Sequence, residues 1–201
     1  MIPYGRHSIS EDDIDEVCKV LRTDWITQGP MIPRFEKELA NYCDAKFAVA
    51  VNSGTSALHI SCLALGIKPG DEVITSSITF VASSNCVIFC GATPIFADIE
   101  PKTYNITPLE IEKKITEQTK LVIAVHFAGQ SCDMEGIASV VATAEGKYGT
   151  KINIIEDGSH ALGSYYKRSK VGSCKYSQIS MTSFHPVKHI TTGEGGIAFT
   201  N

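Results

Sequence analysis

The sequence lacks any apolar run long enough to cross a bilayer, and its N-terminus does not have the pattern of a secretory signal peptide. It also lacks blocks of charge of one sign. The formal net charge is only -4 in 201 residues, so we expect neither a nucleic-acid partner nor a membrane partner. With 43% hydrophobic residues, the chain can still bury a substantial core. We therefore expect one folded domain, or one domain with a piece of another.

Paired cysteines and metal-binding motifs are missing as well. The seven cysteines are odd in number and scattered, without a Cys-x-x-Cys pair, which favours reduced core thiols in a cytoplasmic protein. His185 and His189 lie four residues apart, but Pro186 argues against the helix that a His-x-x-x-His metal site needs. We therefore expect no metal.

From residue 47 onward, short apolar runs alternate with stretches that have the spacing of helices. This pattern predicts strands at 47–51, 72–75, 94–97, 121–125, 152–155, 179–184 and 197–200, with helices at 56–65, 80–90, 108–115 and 134–148. Two amphipathic helices precede them, the first after a capping box of Ser10 and Asp13. Strands that are apolar on both faces and alternate with helices indicate an α/β fold with a mostly parallel sheet covered by helices.

Three polar features follow predicted strands, at the sheet edge where α/β proteins bind ligands. The turn Asn-Ser-Gly-Thr-Ser at 52–56 opens a helix, so it is either an anion site or a simple helix cap. Asp157 is either a strand-end carboxylate or an ordinary turn residue. Lys188 is either a surface lysine or an amine that can form a Schiff base. An anion cradle, a carboxylate and such a lysine are together what pyridoxal phosphate requires.

The order and spacing of these features match a known family. The matching stretches are Asn-Ser-Gly-Thr-Ser-Ala-Leu at 52–58, Gly-Asp-Glu-Val-Ile at 70–74, Ile-Thr-Phe-Val-Ala at 78–82, Val-His-Phe-Ala-Gly at 125–129, Glu-Asp at 156–157, His-Ala-Leu-Gly at 160–163, Ser-Phe-His-Pro-Val-Lys at 183–188 and Gly-Glu-Gly-Gly at 193–196. With them the sequence resembles the DegT/StrS-type nucleotide-sugar aminotransferases, which have the aspartate-aminotransferase architecture of fold type I. The resemblance runs from about residue 2 to residue 201.

The resemblance implies a role for each matching residue. Lys188 matches the lysine that bonds to pyridoxal 5'-phosphate, and Asp157 matches the acid that faces its pyridine nitrogen. Phe80 matches an aromatic that stacks on the cofactor ring, although the residue could equally be an ordinary core phenylalanine. His160 matches a polar position beside the ring, where many relatives have glutamine. The phosphate cradle matches Gly54, Thr55, Ser56 and Ser183.

The loop 24–29 and an N-terminal tyrosine match a region that lines the sugar-nucleotide pocket in the family. The resemblance thus implies substrate-binding roles for Tyr4, Trp25, Ile26 and Thr27. Simple packing of Trp25 and Tyr4 is the alternative interpretation.

The resemblance implies transamination of a UDP-linked 4-keto-6-deoxy amino sugar with glutamate as the amino donor. The stretches 26–30, 126–130 and 184–196 are most similar to those of enzymes that make UDP-4-amino-4,6-dideoxy-N-acetyl-β-L-altrosamine, in pseudaminic acid synthesis for bacterial surface glycans. Two alternatives stay open. One is a sugar-nucleotide dehydratase of the same fold, in which relatives replace the lysine by histidine. The other is a regulator that binds the sugar nucleotide without turnover.

The family also implies an organisation that this sequence only partly contains. Relatives are about twice as long, with a small C-terminal domain and an active site shared across a homodimer. Residues 1–201 end directly after a predicted strand. We therefore expect an N-terminal segment and the cofactor-binding large domain, without the small domain, and with incomplete cover over the first two helices.

Overall fold

Two amphipathic helices begin the described part of the chain, which comprises residues 5–201 of a computed structural model. Helix α1, Glu11–Leu21, starts with the expected capping box, in which the Ser10 amide N–H donates to the Asp13 carboxylate at 2.8 Å. None of its residues is buried, and its apolar side chains Ile14, Val17 and Leu21 are exposed. Helix α2, Met31–Cys43, buries only residues of its last two turns.

The remaining elements alternate as the sequence predicts. The strands are β1 Phe47–Val51, β2 Glu72–Ser76, β3 Thr93–Ala97, β4 Thr119–Val125, β5 Asn153–Asp157, β6 Tyr165–Tyr166, β7 Ser169–Lys170, β8 Ile179–Ser183 and β9 Gly196–Thr200. The helices are α3 Gly54–Ala64, α4 Ala82–Phe89, α5 Pro108–Glu112 and α6 Met134–Tyr148, and Phe127–Gly129 forms a 3-10 turn. None of the described helices has both the length and the apolar character that crossing a membrane requires.

Seven strands form one sheet in the order β1-β9-β8-β5-β4-β2-β3. The pairs from β8 to β3 are all parallel, whereas β9 runs antiparallel to both of its neighbours. Strand β1 therefore points in the same direction as β8 and β5. As a result, the carboxyl ends of β1, β8, β5 and β4 all lie on one edge of the sheet, which is where α/β proteins bind ligands.

Helices cover both faces of the central strands. Because neighbouring residues of a strand point to opposite faces, each central strand supplies two cores. One core lies under α3 and α4 and includes Val73, Leu121, Ile123 and Ile155. The other lies under α5 and α6 and includes Ile74, Val122, Ala124 and Ile154. This arrangement confirms the α/β fold with a mostly parallel, helix-covered sheet.

The structure departs from the sequence prediction at several points. Strand β5 continues through Asp157 instead of ending at residue 155, and α5 stops at Glu112 instead of reaching residue 115. The hairpin of β6 and β7 has only two residues a strand, too few to give a periodic signal. Edge strand β1 is apolar in sequence, yet Phe47 and Val49 are about half exposed.

Most cysteines are part of the core. Six of the seven are buried and all are free thiols. Sγ of Cys62 lies 3.8 Å from Sγ of Cys86 between α3 and α4, and this hydrogen bond, together with burial, raises the pKa of Cys62. A thiol that stays protonated is a poor nucleophile and a poor metal ligand, so Cys62 is best explained by packing.

Gly196 lets β9 lie directly against the turn that opens α3. A Cβ at this position would collide with the carbonyl of Ser53 and would lie 2.6 Å from the nitrogen of Gly54. Both contacts are with backbone atoms, which cannot rotate away. By contrast, a Cβ on Gly146, in the last turn of α6, would meet no atom within 4 Å.

We therefore expect opposite effects from the same substitution at these two glycines. Gly196→Ala should lower the free energy of unfolding by more than about 2 kcal/mol, because the β1–β9 pairing or α3 must shift. Gly146→Ala should raise it by roughly 0.5–1 kcal/mol, since alanine is the better helix former at an open position. Urea unfolding of both variants measures the difference. A neutral Gly196→Ala would contradict the close approach.

Candidate active site

The residues predicted to hold a cofactor come from three strand ends at the same sheet edge. Helix α3 follows β1, Asp157 is the last residue of β5, and Ser183 is the last residue of β8. Strand β9 separates β1 from β8 in the sheet, and β5 lies directly beside β8. The sheet thus brings together segments that are more than 100 residues apart in sequence.

The N-terminus of α3, where the sequence predicts an anion site, lies at this edge. Ser53 is the N-cap, and its Oγ accepts the N–H of Ser56 at 3.1 Å, while Oγ of Ser56 donates to Oδ1 of Asn52 at 2.6 Å. The first N–H groups of a helix have no partner within the helix and attract anions. The helix cap, one of the two alternatives from the sequence, is therefore present, and the turn also leaves N–H groups that could bind an anion.

Gly54 and Ser183 bring α3 and β8 into direct contact. A Cβ on Gly54 would lie 2.8 Å from Cβ of Ser183 and 3.2 Å from its Oγ. The glycine therefore allows the Ser183 hydroxyl to approach the first turn of α3. Ser183 therefore lies beside the turn that contains Gly54, Thr55 and Ser56, and their role as a phosphate cradle stays a prediction.

Asp157 is a buried carboxylate with a neutral donor on each oxygen. Its Oδ2 accepts the hydroxyl of Ser83 at 3.0 Å, its Oδ1 accepts the N–H of Ser159 at 3.1 Å, and the residue is only 5% exposed. Within residues 5–201, no ion pair includes Asp157. A buried negative charge without a cation at contact distance is costly, so the site favours a cationic partner.

Lys188 lies in the loop between β8 and β9, and this loop is closed around Phe184. The N–H of Phe184 donates to the carbonyl of Gly195 at 2.9 Å, and its carbonyl accepts the N–H of Thr192 at 3.1 Å. The Phe184 ring is buried and meets the Phe35 ring of α2 edge-on, with 5.3 Å between the ring centroids. The loop is therefore anchored at its base, and the lysine projects from a fixed support.

The surroundings of Lys188 and His160 lower the pKa of both side chains. Burial lowers the pKa of Lys188, while the charge of Asp157 acts in the opposite direction. Burial also lowers the pKa of His160, and the positive charge of Lys188 adds to that effect. The three side chains are therefore close enough to influence one another. A lysine with a lowered pKa has a larger fraction of the nucleophilic free amine.

The two remaining predicted contacts differ in their surroundings. Phe80 lies two residues before α4 and is 72% exposed, so it is not the ordinary core phenylalanine of the alternative interpretation. Its exposed ring is free to stack on a ligand. His160 lies three residues after β5, half-buried, with its ring 6.3 Å from that of Phe127.

The predicted substrate loop is open to solvent. Trp25 is 63% exposed and Ile26 is 71% exposed, and Thr27 is exposed as well. Simple packing therefore does not explain Trp25. Tyr4, the fourth residue predicted to contact substrate, lies outside the described residues.

The sequence did not identify a buried network on the other face of β5. His126, the residue after β4, lies with Nε2 3.0 Å from Oε2 of Glu156, whose Oε1 accepts the hydroxyl of Ser177 at 2.6 Å. The Cys132 N–H donates to Nδ1 of His126 at 3.1 Å, so Nδ1 carries no proton and Nε2–H donates to Glu156. The amide of His126 also donates to the carbonyl of Asp157 at 3.0 Å. His126 thus fixes the end of β5 through its side chain and its backbone.

Two features of the sequence could have drawn attention to these residues, although not to their contact. His126 directly follows a buried strand at the ligand-binding edge, and Glu156 is a charged residue within an apolar strand. Ser83, which donates to Asp157, had no such signal, because a serine inside a helix has no visible partner in the sequence. Within the described residues, no cluster of three or more His, Cys, Asp or Glu side chains could hold a metal ion.

Comparisons with known proteins show which family this chain is similar to. A sequence model described as the DegT/DnrJ/EryC1/StrS aminotransferase family matches residues 7–201. The chain is 44% identical over 200 residues to the spore coat polysaccharide biosynthesis protein SpsC of Bacillus subtilis (strain 168). This match covers 100% of this chain and 49% of that protein. It is 43% identical over 188 residues to the GDP-perosamine synthase of Caulobacter vibrioides, and this match covers 93% of this chain and 48% of that protein.

Solved structures give the same result. The PMP-form of Spr1654 from Streptococcus pneumoniae superposes with a TM-score of 0.94 at 37% identity, over 100% of this chain and 52% of that one. Helicobacter pylori PseC, an aminotransferase involved in the biosynthesis of pseudoaminic acid, has a TM-score of 0.89 at 35% identity. The match covers 99% of this chain and 52% of PseC. The chain therefore spans about half the length of the relatives it matches, and the expected fold is confirmed.

We expect the network on β5 to be necessary for stability. His126→Leu would leave the Glu156 carboxylate buried with one donor fewer, and should lower the free energy of unfolding by about 3 kcal/mol. As a control, His59→Leu replaces a partly exposed histidine whose ring meets that of Phe89 edge-on, and should change the free energy of unfolding by less than about 1 kcal/mol. Chemical denaturation of the two variants tests this. Equal effects would show that the network does not support β5.

Proposed function

The chain belongs to the DegT/DnrJ/EryC1/StrS aminotransferase family, as its motifs predict, and from this premise we propose that it catalyses pyridoxal-phosphate-dependent transamination of a nucleotide-linked keto sugar. The cofactor of the family is pyridoxal phosphate, and Spr1654 is known in a PLP-form and a PMP-form. The observation that carries the proposal is the buried carboxylate of Asp157, which has only neutral hydrogen-bond donors.

The residues at the sheet edge fit this cofactor. A protonated pyridine nitrogen is the cationic partner that the Asp157 carboxylate lacks among residues 5–201. The N–H groups at the start of α3 and the Ser183 hydroxyl suit a phosphate, because helix N-termini favour anions. The exposed ring of Phe80 and the neutral His160 would then contact the cofactor ring. When bound, pyridoxal phosphate supplies an electron sink for the carbon that loses its proton.

Lys188 has the properties of the proton-transferring group. Its lowered pKa increases the fraction of free amine at a given pH, and its anchored loop limits the positions that Nζ can reach. We assign it two tasks: to bind the cofactor covalently, and to move a proton to and from the reacting carbon as a general base and acid. Asp157, whose charge raises the pKa of Lys188, would keep the pyridine nitrogen protonated.

The finer substrate assignment is a proposal as well. We infer a UDP-linked 4-keto-6-deoxy amino sugar as acceptor and glutamate as donor, in pseudaminic acid or related surface-glycan synthesis. The likeness to PseC supports this, and Trp25, Ile26 and Thr27 form an exposed loop suited to contact a sugar nucleotide. The similar GDP-perosamine synthase makes a GDP-linked sugar the main competing substrate. Tyr4 belongs to the same proposal.

The remaining organisation follows from the family. We propose that residues 1–201 are the large domain of a cytoplasmic enzyme and that its active site is shared across a homodimer. Free, buried cysteines support a reducing compartment. The open site supports a shared one, because Phe80, Trp25 and Ile26 are exposed and would need a covering surface.

In the complete polypeptide, Lys188→Ala and Lys188→Arg should lower turnover at least 1,000-fold, roughly the contribution of a positioned acid–base group, while the fold remains intact. His189→Ala, one residue further on, is the control and should remain active. Borohydride treatment of the yellow parent protein should bleach it and fix the cofactor to the peptide that contains Lys188, as mass spectrometry can verify. Near-normal turnover of Lys188→Ala without an added amine would refute the role.

A panel of nucleotide sugars tests the substrate proposal. We expect UDP-linked 4-keto-6-deoxy amino sugars to be aminated with glutamate at least about tenfold faster, in kcat/KM, than GDP- or dTDP-linked 4-keto sugars. Faster reaction of the GDP-linked sugars would replace the UDP assignment. Release of water from the sugar would indicate a dehydratase, and tight sugar-nucleotide binding by a colourless, inactive protein would indicate a regulator.

A further inference from the structure

We propose that Ser83 is a positioning residue that holds the carboxylate of Asp157 and the turn bearing Phe80 in one fixed arrangement. The inference deepens the proposed function and rests on it, because those two residues are proposed to contact the cofactor ring at its nitrogen and on its face. Ser83 itself would touch neither the cofactor nor the substrate.

Ser83 donates two hydrogen bonds, and their acceptors lie in different segments of the chain. Its Oγ donates to Oδ2 of Asp157 at 3.0 Å, and its amide N–H donates to the carbonyl of Phe80 at 3.1 Å. The side chain is fully buried and lies in the first turn of α4. A single residue therefore links the end of β5 to the turn before α4, although Ser83 and Asp157 are 74 residues apart in the sequence.

A second hydroxyl orients the first. Oγ1 of Thr79 lies 2.8 Å from Oγ of Ser83. An ionised carboxylate can only accept hydrogen bonds, so the one hydroxyl proton of Ser83 is directed at Asp157. The Thr79 hydroxyl must then be the donor to Ser83. The result is a one-way chain of hydrogen bonds from Thr79 through Ser83 to Asp157.

This chain compensates for the weak packing of Phe80. The Phe80 ring is 72% exposed, so core contacts cannot determine its position. Thr79 and Ser83 lie on either side of it in sequence and are joined by their hydroxyls, which fixes the turn between them. Because the same chain ends on Asp157, the spacing between the Phe80 backbone and the carboxylate is determined before any ligand binds.

The test compares Ser83→Ala with a matched control in the same helix, using the complete polypeptide. Ser84→Ala removes a neighbouring hydroxyl that donates to the carbonyl of Val81 at 3.0 Å and does not reach Asp157. Ser83→Thr keeps a hydroxyl at the position and serves as the rescue variant. Each variant is measured for its dissociation constant for pyridoxal phosphate and for the visible circular dichroism of the bound cofactor, which reports the orientation of the ring.

We expect Ser83→Ala to bind pyridoxal phosphate about tenfold more weakly and to have altered visible dichroism, since a hydrogen bond to a charged group is lost. Ser84→Ala should stay within about twofold of the parent, and Ser83→Thr should recover most of the affinity. Thr79→Val should have a smaller effect than Ser83→Ala, because Ser83 can still donate to Asp157. Equal results for Ser83→Ala and Ser84→Ala would overturn the inference.

A double-mutant cycle separates this inference from the proposed function. In the cofactor-free protein, Ser83→Ala is combined with Asp157→Asn and unfolding is measured by denaturant. We expect the two effects to be non-additive by about tenfold in the unfolding equilibrium constant, because the two side chains share a bond. A coupling below about twofold would overturn the positioning role of Ser83 and leave the proposed function intact. Failure of the parent protein to bind pyridoxal phosphate would instead overturn the proposed function.

Discussion

The structure depends most on the buried carboxylate of Asp157. A negative charge that is 5% exposed and has neutral donors on both oxygens needs either a cation or a strong hydrogen-bonding shell. The chain provides the shell through Ser83 and Ser159, and it fixes the backbone of Asp157 through the amide of His126. The charge is therefore held in place at the sheet edge without being neutralised, which is the condition under which it can act on a bound pyridine nitrogen.

The rest of the fold places the partners of this charge. Parallel strands bring the ends of β1, β5 and β8 to one edge, and β9 locks the first of them against the third. Gly196 and Gly54 permit backbone contacts that a Cβ would prevent, so the start of α3 approaches Ser183. Phe184 closes the loop from which Lys188 projects. Each of these features is a packing constraint. Together they determine the relative positions of the start of α3, the Asp157 carboxylate and the Lys188 amine.

The sequence predicted what depends on local pattern and on family motifs. The alternation of strands and helices, the Ser10 capping box and the polar strand ends around Asp157 and Ser183 were all readable. The contacts between distant segments were not, because periodicity carries no information about which side chains meet. The bond from Ser83 to Asp157 and the burial of His126 against Glu156 arise only when α4 and β4 pack beside β5. The β6–β7 hairpin was too short for any pattern.

The central claim is that the sheet edge binds pyridoxal phosphate with Lys188, Asp157 and the first turn of α3 in separate roles. A crystal structure of the complete polypeptide with pyridoxal phosphate tests it most directly. The account predicts continuous density from Nζ of Lys188 to the cofactor, the ring nitrogen within hydrogen-bond distance of the Asp157 carboxylate, and the phosphate at the amides of Gly54–Ser56. A phosphate bound elsewhere, or a ring nitrogen that does not meet Asp157, would contradict it.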